Sequence, residues 1–378
     1  MGKLTWFLEE KARIIKELSS LLSPEARRRA ERDHHARRRP RPCGMTIHTG
    51  TGCSFGCAYC YVPDMGFSMK PRPYTLEPLE LVYALAVNPY VVPYRTFAAY
   101  GSVTEPFLRE TRERAVQYIV EVYRWLKLPS QVSTKACIDG DTARMLRKGD
   151  PRLNVLISVT TLSLAKRLEP RAPDPIERLR CAAATGFSTT LFVRPVIPGV
   201  TERDLPRILE VARAYGIRTV VFGALRVTPG ILRRLSAAGV DTATIEARLT
   251  RRPRGLRDQV PITLKGIRPL LVAEARKRGF VVLPSACAAN VYAHGDFCYM
   301  CSFGPCGDPS RELRFSNSDV EELAEYMGIR TRVLRTAPGL VEVAAKPGRD
   351  GDRSLEVFRV VLSTIVRRRV VLRISRPS

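Results

Sequence analysis

The sequence predicts an α/β protein, in which a partial (β/α)6 TIM-type barrel precedes a small, cysteine-rich α+β appendage. Three observations support this fold class. Six apolar, β-rich segments alternate with amphipathic segments of helical period. Each β-rich segment ends in polar or cysteine residues, as expected where parallel strands present their carboxyl ends to a site. From residue 287 the chain becomes rich in cysteine and glycine.

The elements of the barrel follow one another along the chain. We expect its strands at 45–51, 95–106, 131–136, 153–161, 188–199 and 218–227. We expect its helices at 77–87, 112–127, 140–148, 174–186, 201–216 and 229–239. Gly186 suits the residue of left-handed conformation that ends a helix. The strand segments are apolar enough to be buried in a parallel sheet with covered faces.

The C-terminal region is predicted to be irregular over 287–313 and regular beyond it. A helix is expected at 318–328, where Ser318 would cap it with Glu321 three residues later. Strands at 331–336 and 340–346, a helix at 354–366 and a strand at 369–375 would follow. We therefore divide the chain into a basic N-terminal helix and arm (1–44), the barrel (45–286) and the C-terminal appendage (287–378).

The charge of the chain favours a polyanionic partner. Its 378 residues include 62 Lys and Arg against 37 Asp and Glu, a net charge of +25. Such an excess is typical of proteins that bind nucleic acid, here DNA or RNA. A thermophile surface or a basic proteome is the alternative. The basic segment 26–42 could be an arm on phosphates or a solvated helix end and linker, and 248–257 is expected to be a basic loop.

The N-terminus is amphipathic and contains acidic residues, and no segment of eighteen apolar residues occurs. We therefore expect no signal peptide, no membrane span and a cytoplasmic protein. Ten cysteines in such a protein favour metal binding or catalysis over disulfides.

The most informative motif is the loop TGTGCSFGCAYC at 49–60, whose cysteines are spaced C-x3-C-x2-C. Three thiolates can hold three irons of a [4Fe–4S] cluster and leave the fourth iron open to a non-protein ligand. A structural zinc ion would need a fourth protein ligand, and only Cys43 or His48 lies nearby in sequence. The three thiols are Cys53, Cys57 and Cys60.

The motifs around this loop resemble a known family. They are GCSFGCAYCYVPDMG, VTEPF, VSTKA, ISVTT, RLEPRAPDPIERLRCAAATG and RPVIPGVT, in that order. Over about residues 45–228 they resemble the spore photoproduct lyase, or DNA repair photolyase-like, family of radical S-adenosylmethionine (SAM) enzymes. The resemblance implies a [4Fe–4S] cluster whose open iron binds SAM. It also implies reductive cleavage of SAM to a 5′-deoxyadenosyl radical and an electron donor such as ferredoxin or flavodoxin.

The resemblance also implies roles for individual residues. Tyr59 would lie against the adenine, and Lys135 would pair with the SAM carboxylate. Ser158 would reach the ribose or the methionine. For Lys135 and Ser158, ordinary solvation of a strand end is the alternative. The cluster ligands would be Cys53, Cys57 and Cys60, and the SAM-binding residues would be Tyr59, Thr104, Glu105, Lys135, Ser158 and Arg194.

One candidate catalytic position departs from the family. Its lyases carry a cysteine beside the second strand that returns a hydrogen atom to the substrate radical. Here the segment YGSVTEP carries Ser102 instead, and its O–H bond is much stronger than a thiol's. Repair of spore photoproduct by the same cycle is therefore not expected. Cys137 could donate the hydrogen instead, or it could be a buried, small apolar residue like Cys181.

A second cysteine group has the spacing C-x10-C-x2-C-x4-C. Four thiolates could form a closed site for a second [4Fe–4S] cluster or for zinc. His294 could replace one thiolate. The four residues are Cys287, Cys298, Cys301 and Cys306.

Together these observations predict a radical SAM enzyme, of lyase or transferase type, that repairs DNA or modifies a DNA, tRNA or rRNA base. Modification of a protein or peptide is one alternative. A non-catalytic nucleic-acid-binding protein with structural metals is another. The sequence makes no prediction about the oligomeric state.

Overall fold

The structure, a computed structural model, describes residues 2–40, 44–346 and 352–374. The chain begins with helices α1 (Trp6–Leu21) and α2 (Pro24–Arg32). The Ser23 hydroxyl accepts the Ala26 N–H and so caps α2. Ala26 and Ala30 are four residues apart and bury one face of this helix. The basic segment 26–42 therefore begins within a helix that has one buried face. Cys43 lies outside the described residues.

The first half of the barrel alternates strands and helices as predicted, and two additional short strands pair on either side of the cysteine loop. Its elements are β1 (Gly44–Ile47), β2 (Gly50–Thr51), β3 (Arg72–Pro73), α3 (Pro78–Val87), β4 (Phe97–Tyr100), α4 (Arg112–Leu126), β5 (Ser130–Thr134), α5 (Gly140–Lys148) and β6 (Asn154–Ser158).

The second half continues this alternation and adds short elements beyond β8. The elements are α6 (Ala165–Leu168), α7 (Pro175–Ala184), β7 (Ser188–Val196), α8 (Thr201–Ala214), β8 (Thr219–Ala224), β9 (Arg226–Val227), α9 (Pro229–Ala237), α10 (Thr242–Glu246), β10 (Val260–Pro261), α11 (Ile267–Lys277) and β11 (Val281–Leu283). The basic segment 248–257 contains no helix and no strand longer than a single bridge.

The central sheet has seven parallel strands in the order β1-β4-β5-β6-β7-β8-β11. The predicted α/β fold class and its six barrel strands are confirmed. The seventh strand, β11, was not predicted because three residues are too few to show a periodicity. Residues from β1, β4, β5, β6, β7 and β8 line one cavity. The sheet therefore curves around that cavity as an open barrel.

The C-terminal region contains a helix where the sequence indicated irregular structure. Its elements are α12 (Ala286–His294), β12 (Phe297–Cys298), β13 (Cys306–Gly307), α13 (Asn317–Tyr326), β14 (Arg330–Ala337), β15 (Leu340–Lys346), α14 (Asp352–Val366) and β16 (Arg369–Ile374). The prediction of irregular structure was wrong over α12, because Ser285 caps this helix and Ala288 and Ala289 on it are buried. The predicted cap of α13 was also wrong, since Ser316 and Asp319 form the capping box.

The last three strands form a separate sheet, in the order β14-β15-β16. Its apolar core includes residues of α13 and α14, and also Leu4 and Phe7 at the N-terminus. Helix α1 therefore contacts both cores, since its residue Leu18 packs with the barrel. None of the helices in the described ranges combines the length and apolarity needed to cross a membrane.

A buried charge cluster connects the barrel to the C-terminal region. The Arg367 guanidinium lies 3.8 Å from the centre of the Phe97 ring on β4 and 3.0 Å from the Asp296 carboxylate. Arg95 approaches the same carboxylate at 4.0 Å. Burial, with nearby Arg367, lowers the pKa of Arg95 to about 9. Asp296 thus supplies the negative charge for two buried arginines.

We expect Asp296→Asn to destabilise the protein by about 3–5 kcal/mol, because it leaves both guanidinium groups buried without a countercharge. Thermal unfolding followed by circular dichroism measures the loss. Glu342→Gln is the control. It removes the partner of the solvent-exposed Arg373 and should cost less than about 1 kcal/mol. Equal shifts in the two variants would contradict this account.

Candidate functional site

The candidate site is a cavity of about 470 Å³ at the carboxyl ends of the barrel strands. This is the edge at which catalytic groups gather in parallel α/β barrels. The structure brings nearly all of the predicted barrel site residues to its wall. They are Cys53, Cys57, Tyr59, Cys60, Ser102, Thr104, Glu105, Lys135, Ser158 and Arg194. Cys137 is not among the lining residues.

The cysteines lie in the segment that connects the paired strands β2 and β3. The Cys53 N–H donates to the Met69 carbonyl (3.2 Å). Gly52 has a φ of +78°, and a Cβ there would lie 2.4 Å from the Lys70 carbonyl oxygen. Only glycine fits this turn. The residue before the first cysteine is therefore fixed by backbone geometry.

The three thiols of the loop suit a positively charged metal group. Burial raises the pKa of Cys53 to about 11 and that of Cys57 to about 12. Burial likewise raises the pKa of Cys60. Such thiols keep their protons unless a metal replaces them. The three thiols thus fit an iron–sulfur cluster, whose iron ions supply the positive charge that stabilises the thiolates.

The segment 168–178 supports the loop from one side. The Ala58 N–H donates to the Leu168 carbonyl (2.9 Å), and the Arg171 N–H donates to the Phe55 carbonyl (3.3 Å). Both contacts join main-chain groups, so the loop follows the path of this segment. The segment corresponds to the LEPRAPDPIER motif.

A buried hydrogen-bonded network extends from this segment to Tyr59. The Tyr59 hydroxyl donates to Glu169, and Glu169 forms an ion pair with Arg178 in which each side chain is only 1% exposed. Arg178 also donates to the Ser158 carbonyl (3.1 Å). Burial, with the Glu169 charge, raises the pKa of Tyr59 well above its usual value. Its phenol therefore remains protonated and can donate.

Sequence reasoning did not assign roles to Glu169 and Arg178. The signal was present in the family-specific motif, whose arginine the barrel fold alone does not require. The Lys135 ammonium lies 5.4 Å from the centre of the Tyr59 ring. The network therefore also adjoins Lys135, the residue predicted to pair with the SAM carboxylate. Favourable cation–π contacts occur within about 6 Å.

Helix α9 holds the loop from the opposite side. Arg234 donates to the Ala58 carbonyl (3.1 Å) and the Cys60 carbonyl (2.7 Å). It also forms a two-bond ion pair with Asp64, at 2.8 and 2.9 Å. Thr228, the cap of α9, donates to the same carboxylate. The sequence offered no signal for this contact, which joins residues about 170 positions apart.

Thr104 and Glu105 are buried and hydrogen-bonded within the protein. Thr104 donates to the Gly52 carbonyl. Glu105 accepts from the Thr134 hydroxyl (2.5 Å) and the Lys135 N–H (2.9 Å). Burial raises the pKa of Glu105, although these bonds oppose the shift. Both residues therefore fix neighbouring strand ends at the cavity, in addition to facing it.

The structure contradicts the thiol-donor hypothesis for Cys137. Cys137 and Cys181 form a disulfide, so the Cys137 sulfur carries no hydrogen atom. The expectation that the cysteines avoid disulfides was wrong for this pair. Strand and helix ends bring the two residues together although 44 positions separate them. Ser102 lines the cavity, and its carbonyl accepts from the Tyr61 hydroxyl (2.8 Å).

The second cysteine group gathers beside the barrel. Cys298 and Cys306 face each other in the β12–β13 pair, and Cys287 lies in the first turn of α12. The adjacent residue Ala286 lines the cavity. The four sulfurs are close enough to influence one another's ionisation, and burial raises the pKa of Cys306 to about 12.

His294 is not available to this group, contrary to the sequence-based alternative. Its Nε2 lies 3.0 Å from the Asp150 carboxylate and its Nδ1 lies 2.9 Å from the Asn290 carbonyl. Both ring nitrogens are therefore engaged with other partners.

Two arginines contribute to the cavity wall, Arg194 near the end of β7 and Arg226 at the start of β9. Arg194 and Arg226 both line the cavity and both are exposed. Burial of its head group, together with the charge of Arg226, lowers the pKa of Arg194. A Cβ on Gly223 would lie 2.8 Å from Arg194 Cδ, so glycine at this position leaves room for the arginine. No carboxylate pairs with either arginine in the described part of the chain.

Comparison with known proteins agrees with this geometry. Residues 47–212 match the model of the Radical SAM superfamily. The fold is similar to spore photoproduct lyase complexed with dinucleoside spore photoproduct, at 15% identity, with 62% of this chain and 74% of that chain covered and a TM-score of 0.51. The fold is also similar to a mutant of that lyase, at 16% identity, with 63% of this chain and 75% of that chain covered and a TM-score of 0.52. A further mutant, with bound AdoMet and dinucleoside spore photoproduct, is 15% identical, with 63% of this chain and 75% of that chain covered and a TM-score of 0.51. No curated protein sequence matches the chain significantly.

The matched residues include the cysteine triplet and the strands β4 to β7, so the family match agrees with the resemblance found in the sequence. The structural likeness, at these identities, shows the fold alone. It confirms the predicted barrel architecture.

We expect Glu169→Gln to lower the iron bound per chain after anaerobic reconstitution, because it leaves Arg178 buried without its countercharge and loosens Tyr59 within the cysteine loop. Iron analysis and the visible absorbance of the cluster measure the effect. Glu177→Gln, which removes the partner of the exposed Arg180, is the matched control and should bind iron like the wild type. Full iron content in Glu169→Gln would show that the network does not position the loop.

Proposed function

We propose, from the premise that the chain is a radical SAM enzyme, that it acts on a nucleic acid. The observation that carries this proposal is the composition of the cavity. The same cavity is lined by the cysteine triplet and by two arginines without carboxylate partners. A substrate that enters the cavity would meet both a reaction centre and an anion-binding pair.

The triplet side of the cavity fits the cluster and SAM. Cys53, Cys57 and Cys60 would hold three irons, which leaves one iron position for SAM. When bound, the cluster supplies the electron that cleaves SAM to a 5′-deoxyadenosyl radical. The protein's own residues bind and orient. Lys135 offers a point charge to a carboxylate, and Tyr59, fixed by its hydrogen bond to Glu169, offers a rigid aromatic edge.

The arginine side of the cavity suits a phosphate group. Guanidinium groups bind phosphate oxygens through paired hydrogen bonds and remain charged at any physiological pH. The mutual repulsion of Arg194 and Arg226 would be relieved by a bound anion. The net charge of +25 would draw a long polyanion to the protein over a wider surface. These features favour a nucleic acid over a neutral peptide.

We further propose that the second cysteine group holds a [4Fe–4S] cluster. A tetrahedral zinc site with Zn–S bonds of about 2.3 Å needs sulfurs about 3.8 Å apart. Among the described residues, the groups of three donor atoms within 4.8 Å are histidines or include the Cys137–Cys181 pair, and neither cysteine motif forms one. The wider spacing suits thiolates that bind different irons. Through Ala286 the group adjoins the cavity, where it could exchange an electron with the substrate.

We expect the double variant Arg194→Gln/Arg226→Gln to bind nucleic acid more weakly and with a salt slope smaller by about 1.5–2, since two phosphate contacts are lost. Both quantities are measured by fluorescence anisotropy with labelled DNA and tRNA, at salt concentrations from about 50 to about 200 mM. Arg124→Gln, on the exposed face of α4, is the control. A loss of SAM affinity with unchanged nucleic-acid affinity would instead assign the pair to the cofactor and contradict the proposal.

We expect reconstituted wild-type protein to contain about eight irons per chain. Replacing Cys298 and Cys301 by Ala should reduce this to about four, because one of two clusters loses its ligands. Elemental analysis of iron and zinc in both proteins gives the answer. About four irons and one zinc in the wild type, with only the zinc lost in the variant, would replace the second cluster by a structural zinc ion.

A further inference from the structure

Three of the four histidines in the chain gather at one place outside the cavity. His34 and His35 follow α2, and His48 directly follows β1. One ring nitrogen from each lies within 4.8 Å of the other two. The ring centres are separated by 4.0, 5.1 and 5.5 Å. Nothing in the proposed reaction uses this cluster.

A carboxylate and a phenol orient two of these rings. The Asp33 carboxylate accepts from His35 Nδ1 at 2.7 Å and from the Tyr74 hydroxyl at 2.7 Å. The Tyr74 oxygen lies 3.1 Å from His34 Nδ1. In both histidines Nδ1 is therefore occupied, and a ligand would bind at Nε2, which in His35 accepts the His48 backbone N–H at 3.2 Å. A carboxylate behind a histidine is the usual support for a metal-binding imidazole.

The third ring contains an unsatisfied polar atom. His48 Nδ1 is buried and has no hydrogen-bond partner among the described residues. His48 Nε2 accepts from Arg38 at 3.2 Å. A buried ring nitrogen without a partner carries an energetic penalty, which binding of a ligand would remove.

We propose that His34, His35 and His48 form a binding site for a divalent transition-metal ion, Zn²⁺, with Asp33 and Tyr74 as the residues that orient the ligands. Neutral imidazoles are suitable zinc ligands. Three of them leave a fourth position for water. The His34 side chain is 43% exposed, which gives the ion an entry path.

Binding requires modest rearrangement at the three rings. Nitrogen ligands at about 2.0–2.1 Å from zinc lie about 3.4 Å apart, so the rings must move closer together. The ion would compete with the His48 N–H for His35 Nε2, a bond of 3.2 Å. With the ion on His48 Nδ1, the ring proton would reside on Nε2, which could then no longer accept from the Arg38 guanidinium. Arg38 is thus a competitor of the metal.

The location defines what the ion would do. His34 and His35 belong to the N-terminal segment, whereas His48 continues strand β1 toward the cysteine loop. A metal ion here would fasten the N-terminal segment to the barrel a few residues before the triplet. This role is structural and does not depend on the proposed substrate.

The test loads anaerobically reconstituted full-length protein with a small excess of Zn²⁺, removes free metal, and measures zinc and iron per chain. The wild type should retain about one zinc bound by nitrogen and oxygen, seen in Zn X-ray absorption as ligands at about 2.0–2.1 Å rather than the 2.3 Å of sulfur. His34→Gln/His48→Gln should lose that zinc and keep its iron, which shows that the variant is folded. Arg38→Ala should bind zinc several-fold more tightly.

The control is His294→Gln, which changes the one histidine outside the cluster and should retain the zinc. Several results would overturn the site. They are no zinc retained by the wild type, a sulfur-dominated spectrum, zinc retained by the double variant, or weaker zinc binding in Arg38→Ala. The iron content of each protein separates these results from any failure of the proposed nucleic-acid activity.

Discussion

The ion pair between Glu169 and Arg178 is buried beneath the loop that carries the cysteine triplet, and the geometry of the site depends on it. Each side chain is 1% exposed, so each charge is balanced almost entirely by the other. Glu169 accepts from Tyr59 and Arg178 donates to the Ser158 carbonyl. One ion pair thus fixes the loop to the end of the neighbouring strand β6.

The loop is held at several points because its own sequence cannot fix its shape. Glycines give it the required turns, but they also leave it flexible when it is isolated. Segment 168–178 supports one side through main-chain bonds, and Arg234 binds two carbonyls on the other. The barrel therefore supplies the rigidity that a cluster-binding loop lacks. The cost of burying the Glu169–Arg178 pair is offset by the mutual attraction of the two charges and by their hydrogen bonds to Tyr59 and Ser158.

Much of this architecture follows from the sequence, and the exceptions have physical reasons. The six barrel strands were predictable because buried parallel strands are apolar runs that end in polar residues. The triplet could be recognised because its spacing is local, whereas Lys135 was indicated only by the resemblance to a known family; both line the cavity. The Cys137–Cys181 disulfide and the contacts of Arg234 with Asp64 were not, since they join distant positions. Helix α12 was missed because Cys287 and the cysteine- and glycine-rich segment that follows obscured a short alanine-rich helix that Ser285 caps. The histidine cluster was missed because His34 and His48 meet only after α2 folds onto the barrel.

In the proposed function, a radical formed beside the triplet would abstract hydrogen from a nucleic acid. This step is tested by incubating reduced, reconstituted protein with SAM and uniformly deuterated DNA or RNA, and determining the mass of the 5′-deoxyadenosine produced. We expect 5′-deoxyadenosine that carries deuterium with at least one of the two nucleic acids, and none of this product from a Cys53→Ala/Cys57→Ala/Cys60→Ala variant. Unlabelled 5′-deoxyadenosine with every nucleic acid tested, from a protein that cleaves SAM, would contradict it.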